Sequence, residues 1–150
     1  MTVTFTIPGA PSGKERPRFN GRTGRTYTPQ KTRDYEETVR ECCKEALDAP
    51  FPPDAAIRCE IFAAFPLLAS DSKPKRRRKL ADLLKPTKKP DWDNIGKIVC
   101  DALNGVAYHD DSQITCAVVK KRYAAFPCVR VTLSEDCETA AERTEETAII

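Results

Sequence analysis

Polar and apolar residues alternate at the start of the chain, where threonines separate the apolar side chains of residues 2–7. A period of two predicts a half-buried strand there. Further along, the apolar stretch at residues 55–65 predicts a buried strand. Residues 113–123 and 126–134 predict two more strands. Because only a short link around Ala125 separates these two, we expect them to form a hairpin.

Two other segments have the period of a helix. Thr28-Pro29 is typical of a helix start, and it predicts a helix from Pro29 to about Asp48. The clearest pattern covers residues 92–104, and Asn104-Gly105 is a common helix end. The predicted apolar faces are Tyr35, Val39, Cys42 or Cys43, and Ala46 in the first helix, and Trp92, Ile95, Ile98, Val99, Ala102 and Leu103 in the second.

Strands and helices in this order predict one domain over residues 1–134. We expect the α/β class, of the α+β type, with a mixed β-sheet packed against helices. A chain of 150 residues and 16.8 kDa is long enough to bury one core. Residues 135–150 contain six acids and one base, which predicts a flexible acidic tail. No run approaches the roughly 18 apolar residues of a membrane span, and the first residues do not resemble a secretion signal.

The net charge of +3 is unevenly distributed along the chain. Residues 1–134 hold 24 bases and 16 acids, a net charge of +8. A basic domain favours a polyanionic partner, with nucleic acid as the first choice. The seven cysteines are odd in number and lack paired metal-binding spacing. They therefore favour reduced thiols in a cytoplasmic protein over disulfides or zinc.

Two segments carry most of the candidate DNA contacts. Residues 9–29 are rich in Gly, Pro and Arg and predict a long loop, which is functional or disordered at this length. Residues 70–90 are almost entirely polar, and they predict either a solvated segment, a short helix or a surface for the DNA backbone. Taken by itself, the basic run at residues 73–79 also fits a nuclear-localisation signal. The candidate DNA-binding residues are Lys14, Arg16, Arg18, Arg22, Arg25, Lys73, Lys75, Arg76, Arg77, Arg78, Lys88 and Lys89.

The candidate chemistry lies around the second helix. Asp91 and Asp93 stand at its start, where one Asp would be sufficient as a cap. The helix would be about 18 Å long. The seven residues that follow it reach roughly 23 Å when extended. The chain is therefore able to return, which would bring Asp110 or Asp111 beside the first pair.

A basic residue belongs to the same group. Lys97 follows Asp93 by four residues and so shares its helical face. Clustered carboxylates repel one another unless a cation neutralises them, and oxygen ligands suit Mg²⁺ or Mn²⁺. The sequence thus predicts a metal site of three or four carboxylates, formed by Asp91 and Asp93 with Asp111, Asp110 or both.

These motifs together resemble the RusA-type Holliday-junction resolvases. The resemblance rests on Lys89-Pro-Asp-Trp-Asp-Asn94 with Lys97, on Asp101-Ala-Leu-Asn-Gly105, and on Asp110-Asp-Ser-Gln-Ile114. Further segments that resemble the family are Arg16-Pro-Arg-Phe19 and Tyr27–Glu36.

The resemblance implies a RusA-like fold and a homodimeric, Mg²⁺-dependent endonuclease that cuts four-way DNA junctions. It also implies catalytic roles for Asp91, Asp93, Asp111 and Lys97. Such a protein would be bacterial or phage-encoded.

The chemistry can also be argued from the residues alone. Phosphodiester hydrolysis needs a positioned water, neutralised phosphate oxygens and a stabilised leaving oxygen, and metal ions held by carboxylates can supply all three. Two alternatives stay open: a metal-dependent nuclease for flaps or other branched DNA, and a non-catalytic DNA-binding protein in which Asp91 and Asp93 only cap a helix.

Overall fold

The computed structural model describes residues 1–137. Most of the predicted acidic tail, residues 138–150, lies outside the described residues, and the last strand extends to Glu135. In chain order the elements are β1 (Thr2–Pro8), β2 (Arg18–Asn20), β3 (Arg25–Tyr27), α1 (Gln30–Ala46), β4 (Ile57–Phe65), α2 (Lys73–Leu80), α3 (Trp92–Leu103), β5 (Ile114–Tyr123) and β6 (Cys128–Glu135). A short 3₁₀ turn, Asp111–Gln113, precedes β5.

Four strands form a mixed sheet in the order β1-β6-β4-β5. β6 pairs antiparallel with both β1 and β4, whereas β4 pairs parallel with β5. Parallel neighbours need a long crossover connection. Residues 66–113 provide it, and they carry α2 and α3. The prediction of a single mixed α+β domain is confirmed.

The predicted hairpin between the last two strands is wrong. β4 lies between β5 and β6, so the two strands never pair with each other. The link between them crosses the end of β4, where the Ala124 N–H donates to the Phe65 carbonyl at 3.0 Å. The physical reason is that β4 is the most deeply buried strand and takes a central position with partners on both sides.

Helices α1 and α3 cover one face of the sheet and pack against each other. α1 contacts β1, and α3 contacts β5. The core between helices and sheet comes from alternate residues of the strands and from one side of each helix, including Ile7, Val39, Ile61, Ile98 and Val131. The prediction that Trp92 belongs to the apolar face of α3 is wrong, because this residue is 65% exposed. No helix within residues 1–137 is long and apolar enough to span a membrane.

Regular structure is present in both of the segments that lack an apolar period, and the short-helix alternative for residues 70–90 is confirmed. The segment at residues 9–29 includes β2 and β3, which pair antiparallel as a separate two-stranded ribbon. The segment at residues 70–90 includes the basic helix α2, which begins with Ser72 as its N-cap: the side chain of Ser72 accepts from the Lys75 N–H. Neither element has an apolar period that would predict it from sequence.

Candidate active site

Asp91 and Asp93 stand at the N-terminal end of α3, and both are exposed. Asp91 occupies the N-cap position, but its side chain makes no capping hydrogen bond. Instead the Asp91 carbonyl accepts from the Ile95 N–H at 3.0 Å as part of the helix. Both carboxylates are therefore available to a ligand, which favours a role beyond capping.

The two acids line a shallow depression together with basic residues. Lys121 comes from β5, and its ammonium donates to the Lys88 carbonyl at 2.6 Å. This contact fixes the segment before α3 against the C-terminal end of β5. The remaining residues around the depression are Thr87, Lys88, Lys89 and Trp92.

A second depression on the other side of Asp91 is formed by the loop after β1. Gly13 packs so closely on the start of α3 that an added Cβ would lie 2.9 Å from the Pro90 Cβ and 3.2 Å from the Asn94 Cβ. The next N–H, of Lys14, donates to the Asn94 carbonyl at 3.0 Å. This loop and the N-terminal turn of α3 therefore form one unit around Asp91.

Lys97 points into a network of charges that the sequence did not reveal. Its ammonium lies 3.4 Å from the Asp101 carboxylate, and Lys14 lies 3.3 Å from the same carboxylate. Lys14 also forms an ion pair with Glu36 of α1. Burial lowers the pKa of Lys14, but Glu36 and Asp101 together outweigh it and raise that pKa. Asp101 thus forms ion pairs with two lysines, Lys97 of its own helix α3 and Lys14 of the loop after β1.

The second acidic pair lies elsewhere. Asp110 accepts from the Ser112 N–H at 3.2 Å and caps the 3₁₀ turn, and its hydrogen bonds with Ser112 lower its pKa. Asp111 is half-buried, and the 3₁₀ turn that it begins contacts α3, where the charge of Asp111 acts on Cys100. Burial raises the pKa of Tyr108, and the nearby charge of Asp111 adds to this shift. The Tyr108 hydroxyl in turn donates to the Cys100 carbonyl at 2.8 Å.

Asp111 is therefore separated from Asp91 by most of α3. The nine residues from Asp91 to Cys100 correspond to about 14 Å along a helix. Within residues 1–137, no three His, Cys, Asp or Glu side chains come close enough to share a metal ion. The oxygen donors of Asp91 and Asp93 suit Mg²⁺, but no third carboxylate of residues 1–137 lies close enough to share a metal ion with them.

The candidate DNA-binding residues fall into three groups, and their DNA contacts stay predictions. Lys14 belongs to the network around Asp101, and Lys88 and Lys89 border the acids. The exposed residues of the two-stranded ribbon and the loop before it are Arg16, Arg18, Arg22 and Arg25, and those of α2 are Lys73, Lys75, Arg76, Arg77 and Arg78.

The basic helix α2 is attached by a buried ion pair. Lys79 is 4% exposed and lies 2.6 Å from Asp71, which is 1% exposed. The hydrogen bond from Lys79 is the main cause that lowers the pKa of Asp71 to about 2. The Lys79 ammonium also lies over the Tyr123 ring, 4.3 Å from its centre. α2 is therefore held against the end of β5, with three arginines in solvent.

Comparison with known proteins finds one matching family model and one similar protein. Residues 8–134 match the family model described as "Endodeoxyribonuclease RusA". The chain is also 33% identical over 140 residues to the uncharacterized protein YqaN of Bacillus subtilis (strain 168). That alignment covers 89% of this chain and 96% of the relative.

Proposed function

The chain belongs to the RusA endodeoxyribonuclease family, and from this premise we propose that it resolves four-way DNA junctions. It would do so by paired, Mg²⁺-dependent hydrolysis of phosphodiester bonds during DNA recombination and repair. The observation that carries the proposal is the exposed pair Asp91 and Asp93, whose carboxylates are free of helix capping and are bordered by lysines.

Each residue has a role in this proposal. Asp91, Asp93 and Asp111 would hold Mg²⁺, for which Mn²⁺ can substitute, and Asp110 would contribute from the neighbouring turn. The bound metal would supply an activated water and neutralise the charge on the phosphate oxygens. Lys97 would place its ammonium on the scissile phosphate when DNA replaces Asp101 as its partner. The basic residues of the ribbon and of α2 would hold flanking phosphates, which gives affinity without sequence readout.

The distance between Asp111 and the first acidic pair supports a homodimer. β5 is an edge strand of ten residues, with its N-terminal end beside Asp111 and its C-terminal end beside Asp91 and Asp93. Antiparallel pairing of β5 with a second copy would bring the partner subunit's Asp111 toward these two acids. A two-fold dimer also suits two symmetric cuts in one junction.

A cytoplasmic location follows from the same function, in a bacterial cell or a cell infected by a phage. All seven cysteines are free thiols, and such thiols persist in a reducing compartment.

A nicking assay tests this function. A synthetic four-way junction with one labelled strand at a time is incubated with the protein, with and without Mg²⁺. We expect nicks at symmetric positions in two strands of like polarity, and only with the metal. Asp93→Asn provides the inactive control, and Lys44→Gln, at an exposed site in the last turn of α1, provides the active one.

Competing substrates separate the alternatives. Flaps cut faster than junctions would indicate a nuclease for other branched DNA. Junction binding without nicks in Mg²⁺ or Mn²⁺ would indicate a non-catalytic DNA-binding protein and would contradict the proposal.

A further inference from the structure

We propose that the ribbon formed by β2 and β3 recognises the branch point itself, by stacking the Phe19 ring on a base that the branch leaves uncovered. The inference rests on the proposed function only for its substrate, branched DNA. It assigns the discrimination between branched and linear DNA to one exposed side chain.

The ribbon has two different faces. Phe19 pairs with Thr26, so these two side chains point to one face. Arg18, Tyr27 and Arg25 point to the other face, with Arg18 opposite Tyr27. The ribbon therefore offers the Phe19 ring on one face and two guanidinium groups with the Tyr27 ring on the other.

Phe19 lacks the burial that normally explains a phenylalanine. Phe19 is 71% exposed as a residue, and Tyr27 on the opposite face is 47% exposed. The ribbon is a sheet of its own and has no pairing with the four-stranded sheet. A large exposed apolar side chain on such an element suggests a binding role.

The surrounding charges indicate a polyanion as the partner. Arg18 lies 3.5 Å from Glu15, a long and exposed ion pair. Among residues 1–137, no carboxylate forms an ion pair with Arg16, Arg22 or Arg25, and all three are exposed. Unpaired guanidinium groups and an exposed ring on one element are a combination that binds phosphates and base faces together.

The ribbon is held in shape before any ligand binds. At its tip the Asn20 side chain accepts from the Arg22 N–H at 2.9 Å, and the Asn20 carbonyl accepts from the Gly24 N–H at 2.9 Å. Gly24 has φ +65°, a conformation that glycine adopts without strain. A preformed ribbon loses little conformational entropy on binding, so Phe19 is presented at low cost.

The choice of branched DNA follows from base stacking. Inside a linear duplex both faces of each base pair are covered by neighbours, so a ring that lies beside the duplex finds no base face. At a four-way branch the stack is interrupted, and the last base pair of an arm can expose a face. Stacking of a base on an aromatic ring contributes about 1–3 kcal/mol. The arginines act on both kinds of DNA, whereas Phe19 acts only at the branch.

The test measures binding to a four-way junction and to a linear duplex of equal length, without divalent metal so that the DNA stays intact. We expect Phe19→Ala to weaken junction binding between about 5-fold and about 140-fold, because 1–3 kcal/mol converts to that range. Duplex binding stays unchanged. Phe19→Trp keeps the junction affinity, since tryptophan also stacks.

Two controls accompany this variant. Phe126 is 84% exposed in the link between β5 and β6, and Phe126→Ala should change neither affinity. Arg25→Gln should weaken junction and duplex alike and reduce the slope of log K against log salt by about one. Fluorescence of a base analogue at the branch should respond to Phe19→Ala and be insensitive to Arg25→Gln.

An equal loss on junction and duplex with Phe19→Ala, or no loss on either, would overturn the inference. The proposed function has a separate outcome. Selective junction binding through Phe19 without Mg²⁺-dependent nicks would support the ribbon's role and contradict the proposed nuclease activity. Mg²⁺-dependent nicking that Phe19→Ala leaves unchanged would support the nuclease activity and contradict the ribbon's role.

Discussion

Asp91 and Asp93 are exposed carboxylates that would attract a cation and repel DNA phosphates. We therefore expect Asp91→Asn, Asp93→Asn and Asp111→Asn each to reduce nicking by more than about 100-fold, because even the outer partners of metal ligands contribute 10- to 100-fold. Junction affinity should stay the same or rise. Nicking rates in Mg²⁺ and binding without metal measure the two effects. Near-normal turnover by any of these variants would remove that residue from the site.

Asp110 gives a graded comparison within the same experiment. Its carboxylate caps the 3₁₀ turn through Ser112, so Asp110→Asn keeps a side chain that can accept the same hydrogen bond. We expect a milder loss than for Asp111→Asn. A loss as large as that of Asp111→Asn would mean that Asp110 is as important to the metal site as Asp111.

Gly13 tests how closely the loop after β1 must approach α3. Gly13→Ala adds a Cβ 2.9 Å from the Pro90 Cβ, so we expect the free energy of unfolding to fall by about 1–3 kcal/mol. Nicking should also slow, because Pro90 precedes Asp91. Gly21→Ala is the matched control, since nothing lies within 4 Å of its added Cβ. Denaturant titration of both variants measures the difference, and equal stabilities would contradict the tight contact.

At the scale of elements, α2 depends on the ion pair between Asp71 and Lys79. The folded pKa of Asp71, about 2, lies below its ordinary value of 3.8. Asp71 therefore stabilises the fold above about pH 4, and this contribution is lost as the pH falls toward 2. Thermal unfolding should show that wild type loses stability across this window and that Asp71→Asn, already less stable at pH 7, loses less. An identical pH dependence in both proteins would contradict this role.

The three arginines of α2 should contribute to DNA binding through counterion release. Replacement of Arg76, Arg77 and Arg78 by glutamine should reduce the slope of log K against log salt by up to about 3. The same charge change on α1, in Arg33, Arg40 and Lys44, is the control and should leave the slope unchanged. If the α2 variant keeps the full slope, this run is solvated surface.

Elements with a regular apolar period were predictable from the sequence. The pattern of α3 gave its bounds to within one residue, and β1, β4, β5 and β6 were expected close to where they lie. Strand pairing was not predictable, because the position of β4 between β5 and β6 depends on contacts between distant segments. The β2–β3 ribbon was missed, and α2 was only one of the alternatives for its segment, since neither element buries an apolar face. For the site, the spacing predicted Lys97 on the helical face of Asp93, whereas its ammonium pairs with Asp101. The sequence could not reveal that Lys14 pairs with both Glu36 and Asp101.

At the scale of the whole molecule, a mixture of two inactive variants tests whether two chains build one site. In a mixed dimer of Asp93→Asn and Asp111→Asn chains, shared sites would leave one intact site and one doubly altered site. Random exchange makes half of the dimers mixed, so about a quarter of the wild-type nicking rate should return. These dimers should nick one strand and leave the junction unresolved.

Sedimentation provides the control for this experiment. Each variant alone should sediment as a dimer and stay inactive. Dimers that exchange chains without any return of nicking would show that each chain completes its own site, and a monomer that still makes paired nicks would contradict the dimer altogether.

The tight contact between the loop after β1 and α3 also bears on where a junction is cut. The Lys14 N–H donates to the Asn94 carbonyl. Lys14 lies four residues before the ribbon, and Asn94 directly follows Asp93. If the ribbon holds the branch, the protein itself sets the spacing between the branch and the scissile phosphate. The cut would then fall at a constant number of nucleotides from the crossover, whichever bases surround it.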